Sequence, residues 1–159
     1  MGLTQLRAFL RRHQRIALDT SVFIYQLEAN PRYVILTGHI FSWVERPDHA
    51  AITSTITMSE LLVQPYREAN EQRVNEFYSL LSTYPNLNWI APDLAVADIA
   101  ARIRANHRLR TPDALQAACA VQAKATGLIT NDTVFERVDA FETLVLDQIL
   151  PPPIVPASP

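Results

Sequence analysis

The chain predicts an α/β domain built around a mostly parallel β-sheet. Short apolar runs of strand length alternate with longer segments of helical periodicity from end to end. At 159 residues the chain is long enough to bury one full hydrophobic core. Its composition, 48% hydrophobic and 19% charged, is that of an ordinary globular protein.

The elements follow in order. Thr4 to Gln14 is an amphipathic helix with Leu6, Phe9 and Leu10 on one side. Arg15 to Leu18 is a first strand, followed by a short helix over Thr20 to Glu28. Pro31 opens a helix that runs to Val44, at a first-turn position where its missing N–H is tolerated. Ala50 to Thr53 is a second strand, and the helix after it carries Glu60 and ends near Pro65. Arg67 to Ser82 places Val74, Phe77, Leu80 and Leu81 at helical spacing, and Leu87 to Ile90 is a third strand. Helices over Leu94 to Asn106, capped by Asp93, and over Pro112 to Thr126 come next; Gly127 is read as the stop of the second. Leu128 to Thr130 and Leu144 to Leu146 are the fourth and fifth strands. Residues 1–150 are expected to form one domain, and the proline-rich segment 151–159 an extended, disordered tail.

Charge and cysteine content narrow the function classes. No apolar run approaches the roughly 20 residues that span a bilayer, and Met1 to Arg15 lacks a signal-peptide core. The single cysteine, Cys119, sits among alanines as a small core residue; it excludes an intrachain disulfide and suits the cytoplasm. His13, His39 and His49 lack metal-ligand spacing and read as surface groups. The formal charge is −2, from 14 basic and 16 acidic residues. With the four acids discussed next set aside, bases outnumber the remaining acids, a balance compatible with a polyanionic substrate.

Those acids are Asp19, Glu60, Asp113 and Asp132, each beside hydroxyl-bearing or turn-forming neighbours. Asp19 follows strand one, Glu60 lies on the helix after strand two, and Asp132 follows strand four. Asp113 stands in the first turn of its helix, with Thr111 expected as N-cap. If these strands are parallel, all four carboxylates can meet beyond their carboxyl ends, where open α/β sheets bind ligands. Each acid also fits a plainer role, as helix cap, turn residue or solvated helix charge. Like carboxylates held together need a counter-charge, and an all-oxygen set suits Mg²⁺ or Mn²⁺. Thr20, Ser21 and Thr130 supply hydroxyls that can hold the carboxylates.

The ordered segments Leu-Asp-Thr-Ser-Val-Phe-Ile-Tyr, Ser-Glu-Leu-Leu, Thr-Pro-Asp-Ala-Leu-Gln-Ala-Ala-Cys-Ala and Leu-Ile-Thr-Asn-Asp-Thr-Val-Phe resemble the PIN domain, especially the VapC-like toxin ribonucleases. The resemblance runs from about Ile16 to Leu146. It implies a three-layer α/β/α fold, a Mg²⁺ or Mn²⁺ site on Asp19, Glu60, Asp113 and Asp132, and metal-dependent endonucleolytic cleavage of RNA. Ser21 and Thr130, with Thr20 and Asn131, are the implied polar support. Because Asn131 and Asp132 are adjacent and the family varies in this loop, the fourth ligand position is the least fixed.

Arg102, Arg104, His107, Arg108 and Arg110 form the densest basic stretch. Arg104, Arg108 and Arg110 are candidates for guiding RNA phosphates to the acids, or else the solvated end of a helix. Arg11, Arg12 and Arg15 form a second basic group. Asp98 reads as a helix-surface charge. A VapC-type toxin would further have a cognate antitoxin and form a homodimer, for which Ile35, Ile40, Phe41 and Trp43 could serve unless they belong to the core. The rival functions are a non-catalytic RNA-binding or interaction module of the same fold, and a nuclease outside a toxin–antitoxin system, including one acting on DNA.

Overall fold

A computed structural model describes residues 2–154. In chain order it contains α1 (Gly2–Arg12), β1 (Arg15–Leu18), α2 (Thr20–Leu27), α3 (Val34–Val44), β2 (Ala50–Ser54), α4 (Thr55–Arg67) and α5 (Glu71–Ser82). There follow β3 (Leu87–Ile90), α6 (Leu94–His107), α7 (Thr111–Gln122), β4 (Gly127–Thr130), a 3-10 helix (Thr133–Arg137), β5 (Glu142–Val145) and α8 (Leu146–Ile149). The strands form one sheet in the order β3-β2-β1-β4-β5, and every pairing is parallel. The parallel sheet is the one that the alternating pattern predicted, and with helices on both faces the fold is the α/β/α sandwich that the resemblance implied.

Strand alternation sorts the core into two layers. Ile16, Leu18, Ala51 and Ile129 face one side, packed against α1, α2, α3 and α8 through Leu6, Phe9, Val22, Phe23, Ile40 and Leu146. Ala17, Ile52 and Leu128 face the other, packed against α6, α7 and the 3-10 helix through Val96, Ile103, Ala117 and Phe135. Strands buried on both faces are the expected reading of short, continuous apolar runs in a parallel sheet. Each fully buried Phe, Leu or Ile contributes about 1.5–3 kcal/mol of burial free energy. Cys119 is buried as expected, its thiol 3.6 Å from the Ile90 carbonyl oxygen.

Several boundaries differ from the sequence reading, each for a local reason. The third helix begins at Val34 rather than Pro31, because Asn30 holds a turn there. Its side chain accepts from the Arg32 amide at 3.0 Å, and its carbonyl from the Tyr33 and Val34 amides at 3.0 and 2.8 Å. α4 runs through Pro65 to Arg67, and α5 starts only at Glu71 because Ala69 takes a left-handed φ of 51° and Asn70 caps the Arg73 amide. α7 starts at Thr111 with Arg110, not Thr111, in the cap position, and it stops at Gln122, where Lys124 turns the chain with a φ of 59°. Gly127 is thus not a helix stop but the first residue of β4. A Cβ there would lie 2.7 Å from Phe9 Cζ and 3.0 Å from the His13 ring, so glycine allows α1 to approach the sheet.

His13 is not a surface group. It is 8% exposed, with Nδ1 at 2.8 Å from Thr126 Oγ1 and Nε2 at 2.8 Å from Glu142, which also pairs with Arg12. His49, half-buried, stacks on Trp43 with ring centroids 4.0 Å apart. Of the apolar residues weighed for self-association, Ile40, Phe41 and Trp43 are core and only Ile35 is exposed, at 67%. Pro151 to Ile154 have no regular secondary structure, and the rest of the expected tail, 155–159, lies outside the described residues. Among the described residues no helix is long and apolar enough to cross a membrane.

Candidate active site

Strand order reverses on either side of β1: β2 and β3 lie to one side, β4 and β5 to the other. The carboxyl ends of β1 and β4 therefore flank a topological switch point, the place where open α/β sheets leave a crevice. Asp19 stands there. Its backbone amide donates to the Ile129 carbonyl at 3.1 Å, extending the β1–β4 ladder by one residue before α2 begins. It occupies the N-cap position of α2, yet its carboxylate makes no capping hydrogen bond. The carboxylate instead accepts from the Thr130 hydroxyl at 2.8 Å and the Ser21 hydroxyl at 3.3 Å.

Thr130 is oriented in turn by main chain. The Asp132 amide donates to Thr130 Oγ1 at 2.9 Å, which leaves the hydroxyl proton for Asp19. Burial pushes the Asp19 pKa above the ordinary carboxylate value, and the neighbouring charge of Glu60 adds to that push; the Thr130 and Ser21 bonds oppose it. No cationic side chain pairs with Asp19 or Glu60 among the described residues. A largely buried carboxylate, with a second one near it and no cation, is the arrangement that a bound metal ion would relieve.

Glu60 reaches this point from α4. Thr20 donates its hydroxyl to Glu60, and Thr20 is held by a buried polar bundle. Thr20 and Thr57 oxygens lie 3.1 Å apart, Gln116 donates to Thr57 at 2.7 Å and to Thr20 at 3.2 Å, and Thr53 donates to Thr57 at 2.9 Å. The bundle ties α2, β2, α4 and α7 together directly beneath the carboxylates. Thr53, Thr57 and Gln116 escaped the sequence reading. For two of them the signal was helical spacing: Thr57 stands three residues before Glu60 on α4, and Gln116 three after Asp113 on α7, so each shares a helix face with an acid; Thr53, on β2, carries no such signal.

The other predicted residues are placed as follows. Asp113 lies in the first turn of α7, one turn before Gln116, 19% exposed and 3.4 Å from Arg110 Nε. Asp132 is exposed, and its side chain caps the 3-10 helix by accepting from the Val134 amide at 2.9 Å. Its backbone serves Asp19 through Thr130, while its carboxylate is spent on the turn. Asn131 turns away from the acids: its Nδ2, with two protons to give, lies 2.9–3.1 Å from oxygens of Tyr25, Tyr33 and Asp147, and its Oδ1 accepts from the Asp147 amide at 2.8 Å. It anchors the loop after β4 to the start of α8. The structure thus joins Asp19 and Glu60 and sets Asp113 on the same helix face as Gln116. Among the described residues no three His, Cys, Asp or Glu side chains are gathered closely enough to hold a metal ion.

Of the candidate basic residues, Arg110 stands beside Asp113. Arg104 Nε donates to the Leu109 carbonyl at 3.3 Å, and Arg108 takes the left-handed cap position of α6 with φ 58°. Those two shape the α6–α7 turn. Asp98 pairs with Arg102 on the α6 surface, and Asp93 caps that helix through the Val96 amide, both as expected.

The family model of the PIN domain matches residues 16–141, and the chain belongs to that family. Among solved structures, the chain is similar to DNA-bound VapBC from Salmonella typhimurium at 20% identity and a TM-score of 0.63, covering 83% of this chain and 98% of that one. FitAcB from Neisseria gonorrhoeae matches at 25% identity and a TM-score of 0.60, over 82% of this chain and 97% of that one. VapBC-5, a member of the VapBC family of toxin–antitoxin systems from Mycobacterium tuberculosis, matches at 25% identity and a TM-score of 0.54, over 83% and 98%. No curated protein matches the chain.

Proposed function

We propose that this PIN-domain protein is a metal-dependent endoribonuclease and the toxin of a VapBC-type toxin–antitoxin pair. The observation that carries the reading is Asp19: a carboxylate largely buried at the switch point, beside Glu60, with hydroxyl donors but no cationic partner. The donor set is all carboxylate oxygen, which fits a hard divalent cation such as Mg²⁺ or Mn²⁺. Asp19 and Glu60 would hold it, with Asp113 contributing from α7; Asp132 would have to release the Val134 amide to take part. When bound, such an ion lowers the pKa of water and stabilises charge on phosphodiester oxygens.

The chain's own residues do the positioning. Thr130 and Ser21 donate to Asp19 and hold it at one orientation. Thr20, fixed by Gln116 and Thr57, holds Glu60. Arg110, which carries the exposed guanidinium nearest Asp113, would meet the incoming RNA backbone.

An antitoxin partner is supported by the named assemblies that this fold resembles, VapBC among them. A groove of about 380 Å³ runs beside Glu60 and is lined by Ile24, Leu27, Leu61 and Phe77 together with Glu68 and Arg73; it suits an amphipathic partner segment. Homodimerisation and a cytoplasmic location belong to the same proposal.

The test compares single-stranded RNA and DNA of one sequence with wild-type protein and Asp19→Asn, with Mn²⁺ and with EDTA. RNA cleavage that requires both Asp19 and the metal supports the reading. Cleavage that survives either change, or that prefers DNA, contradicts it. Purification from the native host should yield a small second protein bound to the chain.

A further inference from the structure

We propose that a cationic cleft at the opposite end of the sheet, between α1 and α3, is a second binding site that holds the phosphodiester backbone of single-stranded RNA. Its volume is about 570 Å³. Arg7 and Arg11 line it from α1, His39, Ser42 and Trp43 from α3, and Arg46 and His49 from the turn before β2. No acidic side chain lines it. Among the described residues Arg7, Arg11 and Arg46 have no carboxylate partner, and all three are exposed.

Of the nearby acids, exposed Asp48 lies in the same turn as Arg46 but does not line the cleft, and two others are engaged elsewhere. Glu45 accepts from the Tyr84 hydroxyl at 2.7 Å, and Glu142 is taken by Arg12 and His13. The remaining arginines of the N-terminal segment are engaged too: Arg12 with Glu142, and Arg15 through a 2.7 Å bond to the Ala123 carbonyl. The fold thus neutralises some cations around α1 and leaves three pointed at one concavity.

His49, on the cleft wall, is fixed in place by main chain and by an aromatic ring. His49 Nδ1 lies 2.7 Å from the Trp43 carbonyl oxygen, which can only accept, so the proton is on Nδ1. His49 is held against the Trp43 ring, with centroids 4.0 Å apart and planes 10° apart. Arginines around an aromatic-backed concavity are the features that single-stranded nucleic acid uses: guanidinium contacts to phosphates along a groove. A strand laid in it can reach the acids only around the outside of the molecule. Gln14 and Asp19 bracket β1, a separation of about 17 Å at roughly 3.3 Å per residue. The cleft therefore acts as an anchor for RNA distant from the cut, not as part of the reacting centre.

The proposal rests on RNA being the substrate, and it is tested without cleavage. Fluorescence anisotropy with a labelled single-stranded RNA is measured in EDTA, over a range of salt concentrations. The full-length wild type is compared with a cleft variant, Arg7→Gln/Arg11→Gln/Arg46→Gln. A control variant, Arg67→Gln/Lys124→Gln/Arg137→Gln, removes the same charge elsewhere. The cleft variant should bind about tenfold more weakly at low salt, and its log–log salt slope should be shallower by about 2, from about 0.7 per lost single-strand contact. The control should stay within about twofold of wild type, since Arg67, Lys124 and Arg137 do not line the cleft and none of them is the arginine beside Asp113. A single reversal, Arg46→Glu, should weaken binding in the same direction, so the outcome does not depend on one triple variant folding. Undiminished binding in the cleft variants, equal losses in cleft and control variants, or no RNA binding by the wild type would each overturn the proposal. Metal-dependent cleavage is scored separately: its absence with the cleft effect intact overturns only the nuclease reading.

Discussion

Replacing Thr20 with valine removes one hydroxyl from the bundle beneath the carboxylates and nearly preserves the side chain's shape. Thr20 donates to Glu60, accepts from Gln116 at 3.2 Å and lies 3.1 Å from Thr57. After the change Gln116 still donates to Thr57 at 2.7 Å, and Thr53 still donates to Thr57 at 2.9 Å, so neither partner is stranded. The loss is then chiefly one hydrogen bond to a charged group, worth about 1.5–3 kcal/mol. Glu60 is exposed on its outer side, which places the cost at the low end, about 1.5 kcal/mol. With a urea m-value of about 2 kcal/mol/M, the unfolding midpoint should fall by about 0.8 M with m unchanged. Thr20→Ser keeps the hydroxyl and should lose only a methyl group, about 1 kcal/mol or less. A Thr20→Val midpoint equal to wild type would refute the claim that this hydroxyl holds Glu60. Recovery in Thr20→Ser of stability but not of RNA cleavage would refute its positioning role.

Other outcomes follow from the same geometry. Burial raises the Asp19 pKa, so the folded state holds that proton more tightly than the unfolded chain does. The stability this supplies is full below the unfolded value of about 3.9 and is lost as pH rises through the folded value. Metal-free wild type should therefore lose stability relative to Asp19→Asn over that interval; superimposable pH–stability curves would count against the buried carboxylate. Gly127→Ala forces a Cβ to 2.7 Å from Phe9 Cζ inside the core. Overpacking of this kind costs about 1–3 kcal/mol, and at roughly 2–4 °C per kcal/mol calorimetry should show a clear fall in Tm; an unchanged Tm would show that α1 yields freely. Asn131→Ala removes the side chain that joins Tyr25, Tyr33 and the Asp147 amide, although Tyr33 still donates to Asp147 and Arg32 still pairs with it. It should cost about 2–3 kcal/mol and expose the α8 amides to early hydrogen exchange, whereas a purely surface asparagine would do neither.

The fold class was legible because strand runs and helical periods are separated along this chain. β1 and β3 fall on their expected residues, and the Asp93 cap is where Pro92 and the apolar run after it place it. Boundaries set by single backbone conformations were not legible: Ala69 and Lys124 take left-handed φ without being glycine or asparagine, so α5 and α7 break where the pattern runs on. Gly127 misled for the opposite reason, since its glycine answers a tertiary contact with Phe9 rather than a local turn. At the site, Asp19 with Thr130 and Ser21 was readable from strand ends and hydroxyls. Thr57 and Gln116 were not, because a polar residue on a helix reads as solvated until the facing helix is known. Asp132 and Asn131 show the limit of motif reading: adjacent in sequence, they turn to different partners, one to a cap and one to the α8 junction.

In the proposed nuclease, Asp19 and Glu60 hold a divalent cation at the carboxyl ends of the strands. Mn²⁺ binding, followed by the loss of the free-ion paramagnetic resonance signal, tests it without RNA. Wild type should bind Mn²⁺, and Asp19→Asn and Glu60→Gln should each weaken binding at least tenfold, while Asp132→Asn changes it less. Equal Mn²⁺ affinity in wild type and Asp19→Asn would contradict the claim.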